Sequence, residues 1–255
     1  MLKRKKKNTQ AEWLDAYCKI REYMETPQGV HDAEVLIEIA LERILPLGAS
    51  HCVYAWSGGK DAIALQVICE EAGIHNCGLG TIGERWEYPV FWEHVRQHAP
   101  EGLKIIDFGI TPEFLNEHPN YVFPENSRDN YYWFRACNQR LFATYADEMN
   151  ADYILMGHRV QDGNKCHDRK DKRQITPLHD FTHEDVFKIM AYGHKELPPI
   201  YYMPDGFNQG THAWPMRFGG DKELETLWQI DKNILLNNQE LDKVRKFVEE
   251  KDEGH

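Results

Sequence analysis

The sequence lacks the features of a membrane-spanning protein, of a secreted protein, and of a protein that binds nucleic acid over its whole surface. No stretch approaches the ~20 consecutive apolar residues that a membrane-spanning helix needs. Its six cysteines are scattered without a Cys-x-x-Cys pair, which predicts free thiols and a cytoplasmic protein. Lys and Arg number 30 against 41 Asp and Glu, so the formal net charge is −11. This balance argues against a surface that grips nucleic acid all over, because such binding depends on basic contacts to phosphate.

The positive charges that are present are concentrated in two segments. Residues 3–7 form a basic head, and polar residues follow it rather than the apolar run of a signal peptide. Residues 158–174 carry more basic than acidic side chains. Each segment is interpreted either as a solvated run or as a contact for phosphate.

Short apolar runs alternate with helical patterns over most of the chain. At 255 residues, 42% of them hydrophobic, the chain is long enough for one large domain or two small ones. The patterns predict strands at 52–56, 77–82, 103–108 and 153–156. They predict helices at 11–25, 31–45, 62–72, 88–98, 129–149, 183–192, 224–236 and 239–249. This alternation indicates a parallel sheet in an α/β fold.

The same patterns divide the chain into four parts. Residues 1–10 are the basic head, 11–47 the N-terminal helices, 48–195 an α/β domain, and 196–255 a C-terminal loop and helices that pack on or beside it. The helix at 183–192 follows Thr182, with Asp185 three residues on, which resembles a capping box with Asp in place of Glu.

The strongest functional signal is the run Ser57-Gly58-Gly59-Lys60-Asp61, between a predicted apolar strand and a predicted apolar helix. Two glycines permit a tight turn with converging backbone N–H groups, and the helix that begins there adds the positive end of its dipole. Lys and Asp beside such a turn suit a phosphate and its metal ion. The run is predicted to be a phosphate cradle, the alternative being a plain strand-to-helix connection.

This run resembles the PP-loop of the adenine-nucleotide alpha-hydrolase superfamily, whose pattern is Ser-Gly-Gly-x-Asp-Ser/Thr. It differs from the Walker-type loop, because no Gly-Lys-Ser/Thr follows. The last position is Ala62 here, so one hydroxyl contact is missing. Residues 151–159 and 175–186 are similar to the phosphoadenosine phosphosulfate (PAPS) reductase family, which includes the small subunit of bacterial sulfate adenylyltransferase. The resemblance covers about residues 48–218.

The resemblance implies a Rossmann-like, HUP-type fold: a mostly parallel five-stranded sheet, helices on both faces, and flanking N- and C-terminal helices. It implies that ATP binds with Mg²⁺ at the carboxyl edge of the sheet, and that an acceptor attacks the α-phosphate and releases pyrophosphate. The residues expected to carry this chemistry are Lys60, Asp61 and Arg159, with Asp61 positioning Mg²⁺ and the planar guanidinium of Arg159 matching phosphate. The expected nucleotide contacts are Ala55, Trp56, Ser57, Gly58, Gly59, Lys60, Asp61, Thr81, Ile82, Gly157 and Arg159.

Several features of the PAPS reductase family are missing. Its reductases carry a catalytic cysteine in a C-terminal Glu-Cys-Gly-x-His motif, and no cysteine follows Cys166 here. Its iron–sulfur members use a Cys-Cys pair and a later Cys-x-x-Cys, for which this sequence offers Cys137 but has Ala213 and Met216. We therefore expect no iron–sulfur cluster, and a sulfonucleotide reductase is disfavoured. A non-catalytic nucleotide-binding module, with Ala62 as a sign of decay, is the second interpretation.

The acceptor and the partners stay open at the level of sequence. Sulfate, a nucleic acid or another small molecule could be adenylylated, and a nucleic acid would use residues 3–7 and 158–174. No membrane partner is expected, while a homo-oligomer or a partner subunit is compatible with the flanking helices. A zinc site among the histidines and Cys166 is disfavoured. The aromatic run at 131–134 is interpreted as part of the hydrophobic core, and stacking on a nucleic-acid base is the less favoured alternative. Glu84 and Glu87 follow the second strand, where the family places a substrate-proximal motif.

Overall fold

The computed structural model describes residues 2, 7–81, 89–107, 140–162, 168 and 173–202. Within them the strands are β1 (Cys52–Ala55), β2 (Cys77–Thr81), β3 (Lys104–Asp107), β4 (Tyr153–Leu155) and β5 (Gln174–Ile175). The α-helices are α1 (Gln10–Tyr23), α2 (Pro27–Ile44), α3 (Lys60–Glu71), α4 (Pro89–His98), α5 (Arg140–Glu148) and α6 (His183–Tyr192). A short 3-10 helix spans Pro199–Tyr202.

The five strands form one parallel sheet in the order β3-β2-β1-β4-β5. The chain adds strands on one side of β1 first, and then crosses to the other side for β4 and β5. The direction of winding therefore reverses between β1 and β4. In open α/β sheets, the crevice outside the carboxyl ends of such a strand pair is where ligands bind.

Helices cover both faces of this sheet because the strand side chains alternate between two cores. Tyr54 and Leu155 belong to the larger core, together with apolar residues of α3, α4 and α6. Val53 and Ile154 point the other way and pack with the apolar face of α5. The predicted α/β fold, with its five-stranded parallel sheet, is confirmed.

The two N-terminal helices extend the larger core. Trp13 of α1 lies edge-on to Phe187 of α6, with ring centroids 4.9 Å apart, and Tyr17 contacts the same ring at 5.2 Å. Helix α1 starts with a capping box between Thr9 and Glu12. Helix α6 starts with the predicted capping box of Thr182 and Asp185, so that prediction is confirmed.

The structure differs from the sequence patterns at two places near the sheet edge. Helix α3 begins at Lys60 rather than at residue 62, because Gly59 adopts the extended N-cap conformation and brings Lys60 and Asp61 into the first turn. Strand β5 begins at the end of the positive segment 158–174, where no strand was predicted, because two residues are too few for a periodic pattern. The helix residues predicted at 129–139, 224–236 and 239–249 lie outside the described residues.

Four cysteines lie in the described residues, and all four are free thiols. Cys18 is exposed, whereas Cys52, Cys69 and Cys77 are buried. Burial raises the pKa of the Cys52 and Cys77 thiols to about 11, so they behave as small apolar side chains. Within the described part of the chain, no helix is both long and apolar enough to cross a bilayer.

Candidate functional site: a backbone cradle beside a buried ion network

The predicted cradle forms a turn between β1 and α3 that only glycine fits at its centre. Gly58 has a φ of +65°, in the left-handed region. A Cβ atom at this position would lie 3.2 Å from the Phe91 ring and 3.4 Å from the Trp56 ring. Gly59 then enters α3 as its N-cap, and no side chain caps the helix from that position. The first turn of α3 therefore presents its N–H groups and the positive end of its dipole at the sheet edge.

The loop that follows β4 lies directly against this first turn. A Cβ atom on Gly157 would lie 3.1 Å from the carbonyl carbon and oxygen of Asp61. The absence of a side chain at Gly157 thus lets the β4 loop approach the backbone of α3 closely. The cradle and the β4 loop consequently form one site, at the point where the winding of the sheet reverses.

Arg159 crosses this junction as a fully buried cation. Its side chain is 0% exposed. Nε donates to Asp61 Oδ1 at 2.6 Å, and Nη2 lies 2.9 Å from Asp162 Oδ2. Nη2 also donates to His183 Nδ1 at 3.0 Å, and Nη1 donates to the Phe181 carbonyl at 3.0 Å and to Gln161 Oε1 at 3.4 Å. Five protein acceptor atoms thus lie within 3.4 Å of the guanidinium nitrogens.

Lys60 supplies the second buried cation of the network. Its Nζ lies 2.5 Å from Asp61 Oδ2 and 3.8 Å from Asp162 Oδ1. The Lys60 and Arg159 side chains are 2% and 0% exposed, whereas those of Asp61 and Asp162 keep 23% and 18% of their surface exposed. Solvent therefore meets the two carboxylates of the network and not its two cations.

The pKa values of these groups follow from burial and pairing. Burial works against ionisation of Asp61, but Arg159 and Lys60 hold the pKa of its carboxyl well below its usual range. For Lys60, burial lowers the pKa of the ammonium despite the neighbouring carboxylates. Burial also disfavours the charged guanidinium, but Asp61 and Asp162 raise the pKa of Arg159 above its ordinary value. Asp61 and Arg159 are therefore charged at neutral pH.

The network is continuous with the N-terminal part of the chain. Gln161 Oε1 accepts from the His183 backbone N–H, and Gln161 Nε2 donates to the Leu2 carbonyl at 3.1 Å. The Leu2 backbone N–H donates to Glu184 Oε1 at 2.5 Å. Leu2, which directly precedes the basic head, is thus held beside the candidate site.

The structure places the remaining sequence-predicted contacts at the same edge. Ala55 ends β1 and Trp56 follows it, and Thr81 ends the neighbouring strand β2, where it is buried. The Trp56 indole is fully buried and donates to Gln66 Oε1 at 2.9 Å. Ile82, Glu84 and Glu87 lie outside the described residues.

The structure describes two arginines of the positive segment 158–174, and both are paired with carboxylates. Arg159 is enclosed by the network, and Arg173 pairs on the surface with Asp147 at 2.5 Å. Asp168 accepts from the Thr176 backbone N–H at 3.0 Å and lies 3.4 Å from Arg43. The other basic side chains of the segment lie outside the described residues: Lys165, Arg169, Lys170 and Lys172.

Three site residues were not singled out from the sequence, namely Gln161, Asp162 and Tyr201, whereas His183 was weighed only among the histidines of a disfavoured zinc site. Asp162 is three residues after Arg159, a spacing that could have suggested an ion pair. His183 is the first residue of a capped helix, as predicted, but its ring also accepts a hydrogen bond from Arg159. Tyr201 offered no signal, since it approaches Lys60 from 141 residues away.

The described residues contain no group of three or more His, Cys, Asp or Glu side chains arranged to hold a metal ion. A magnesium ion does not need such a cage, because it is commonly bound through one or two carboxylates, waters and substrate phosphates. The partly exposed oxygens of Asp61 and Asp162 fit this donor chemistry.

Comparisons with known proteins give distant structural likenesses. No protein-family model and no curated protein matches the chain. Its structure is similar to that of PAPS reductase from Candida auris in a phosphate complex, with a TM-score of 0.46 and 13% identity over 64% of this chain and 81% of that chain. It is also similar to the U34-tRNA thiolase NcsA from Methanococcus maripaludis with its [4Fe-4S] cluster, with a TM-score of 0.47 and 14% identity over 86% of this chain and 78% of that chain. Both likenesses are too distant to assign a residue role or an activity to this chain.

Proposed function

We propose that this protein binds Mg²⁺-ATP at the cradle and transfers the adenylyl group to an acceptor. The acceptor would attack the α-phosphorus, the bond from that phosphorus to the α–β bridging oxygen would break, and pyrophosphate would leave with the bonding electrons. The observation that carries the proposal is the glycine turn at the N-terminus of α3, located where the sheet reverses its winding. The similarity of this turn to the PP-loop supports the same chemistry.

The residues of the site would act chiefly by electrostatics. The backbone N–H groups of residues 58–60 would meet the charge that builds on the leaving pyrophosphate. Mg²⁺ would neutralise the phosphates, with Asp61 and Asp162 as its protein ligands. Arg159 is buried and contacts both Asp61 and Asp162, so it would position the two carboxylates. A direct contact between Arg159 and phosphate stays a prediction.

The acceptor we favour is a nucleic acid, and the position of Leu2 supports this choice. Leu2 is held against Gln161 and Glu184 beside the site, and the basic residues follow it directly in sequence. A polyanion bound there would bring its own groups towards the α-phosphate. Sulfate or another small molecule would need no such basic segment.

The test is to incubate the protein with Mg²⁺ and ATP labelled at the α-phosphate, in the presence of tRNA, DNA or sulfate. We expect release of pyrophosphate and transfer of label to the acceptor or to AMP. Lys60→Ala should reduce this turnover at least tenfold, because it removes a cation beside the cradle. Lys19→Ala is the matched control, since Lys19 is 70% exposed and pairs only along its own helix with Asp15.

The outcomes separate the proposal from its alternatives. Binding of ATP without cleavage over the whole acceptor panel would favour a non-catalytic nucleotide-binding module, consistent with Ala62. Failure to bind ATP would refute the proposal. Label transfer to nucleic acid that weakens steeply as salt rises would support the polyanionic acceptor, and transfer to sulfate alone would reject it.

A further inference from the structure

The first N–H group of the cradle helix is already engaged by a side chain from a distant segment. The Lys60 backbone N–H donates to the Tyr201 hydroxyl oxygen over 3.3 Å. Since Gly59 provides no side-chain cap, Tyr201 caps α3 from outside the helix. The hydroxyl oxygen therefore occupies a position that an anion bound at the helix N-terminus would take.

The segment that carries Tyr201 is fastened to helix α1. The Tyr201 carbonyl accepts from Gln10 Nε2 at 3.0 Å, and its ring lies 5.1 Å from the Trp13 ring. The Leu197 backbone N–H donates to the Tyr17 hydroxyl at 3.0 Å. These contacts place Tyr201 over the cradle while leaving its hydroxyl contact long for a hydrogen bond.

The phenol is suited to this place only while it is neutral. Tyr201 is 4% exposed. Burial raises the pKa of its hydroxyl, and the negative charge of Asp61 raises it further. A neutral oxygen is a weaker acceptor for the helix N–H than a phosphate oxygen, because hydrogen bonds to charged groups are stronger.

We infer that the Tyr201 hydroxyl holds the place of a phosphate oxygen on the Lys60 N–H, and that an entering nucleotide displaces it. Tyr201 is thus a residue of the phosphate site that sets how tightly phosphate binds. The inference rests on the proposed function, because it requires that phosphate binds at this cradle.

The test is isothermal titration of the protein with Mg²⁺-pyrophosphate and, separately, with Mg²⁺-ATP. Tyr201→Phe removes the competing oxygen and keeps the ring, so we expect it to bind pyrophosphate roughly 3- to 10-fold more tightly than the unchanged protein. Tyr202→Phe is the matched control, since Tyr202 is 54% exposed, and we expect no change in its affinity.

A second variant covers the case in which Tyr201→Phe does not fold, which thermal melting would show. Gln10→Ala releases the Tyr201 carbonyl from α1 and keeps the hydroxyl. We expect it to tighten pyrophosphate binding in the same direction by a smaller factor, because the hydroxyl is then held less firmly on the Lys60 N–H.

The results distinguish this inference from the proposed function. Equal or weaker binding by Tyr201→Phe and by Gln10→Ala, with the unchanged protein binding normally, would overturn the role of Tyr201 and leave the proposed function standing. If the unchanged protein and every variant fail to bind pyrophosphate and ATP, the proposed function is wrong and this inference falls with it.

Discussion

The two loops that meet at the sheet edge are built in opposite ways. The loop after β1 acts through its backbone, since its glycines shape a turn that aims N–H groups outward from α3. The loop after β4 acts through charged side chains, and it directs them inward onto Asp61, Asp162 and His183. One loop therefore contributes backbone donors, one of which is covered by Tyr201, while the other contributes a support of paired charges behind it. In this site, a basic residue near the cradle is not by itself a phosphate ligand.

The largest test of this contrast removes the cation at the centre of the support. Arg159→Met leaves two carboxylates without their main partner, and we expect the free energy of unfolding to fall by about 3–5 kcal/mol. Arg173→Met is the control, because Arg173 and Asp147 are 49% and 64% exposed and such pairs contribute about 0–1 kcal/mol. Urea denaturation measures both. Similar losses in the two variants would contradict the buried network.

The stability of the protein in acid tests the packing of His94 against Trp56, the residue that precedes the cradle. His94 is 5% exposed, stacks on Trp56, and has a pKa lowered by burial to about 4. The unfolded chain binds a proton at this residue below about pH 6.5, whereas the folded chain does not do so until about pH 4. Stability should therefore fall as pH drops from about 6.5 to 4.

Replacing this histidine should remove part of the loss in acid. We expect His94→Phe to reduce the fall in unfolding free energy over that pH range by about 2 kcal/mol, measured by urea denaturation at each pH. His31→Phe changes an exposed histidine and should leave the slope unchanged. An unaltered slope in the His94 variant would show that this ring does not remain neutral in the folded protein.

The smallest expected effect is the difference between two glycine substitutions, which distinguishes steric crowding at the cradle from backbone strain alone. Gly58 and Gly73 have φ values of +65° and +70°, but only Gly58 has neighbours that a Cβ would touch. Gly58→Ala should therefore cost about 1 kcal/mol more in unfolding free energy than Gly73→Ala. Titration should also show weaker ATP binding in the Gly58 variant alone. Equal costs and unchanged binding in both variants would argue against the close packing of the turn.

The predictable part of this protein is the part that depends on local pattern. The alternation of apolar runs predicted the parallel sheet, and the sequence of residues 57–61 predicted a glycine turn that leads into a helix, because strand periodicity and glycine turns are local properties. The capping box of Thr182 and Asp185 was predicted for the same reason. These features need no partner far away in the chain.

The remainder of the site depends on residues that only the fold brings together. Asp61 and Arg159 are 98 residues apart, and Lys60 and Tyr201 are 141 residues apart. The sequence shows that Arg159 is basic but not that five protein acceptors surround it. Strand β5 was missed because two residues carry no periodicity, and its place in the sheet comes from pairing with β4.

The contacts of α1 have a consequence for the order of folding. Trp13 and Tyr17 bury their rings against Phe187, and Gln10 reaches Tyr201, so this helix completes its contacts only with residues made some 170 to 190 positions later. During synthesis, the apolar face of α1 therefore stays unpacked while the sheet forms, since contacts between residues so distant in sequence form slowly. Helix α1 is thus made before the sheet but is among the last of the described elements to be packed, and the covering of the cradle by Tyr201 is completed with it.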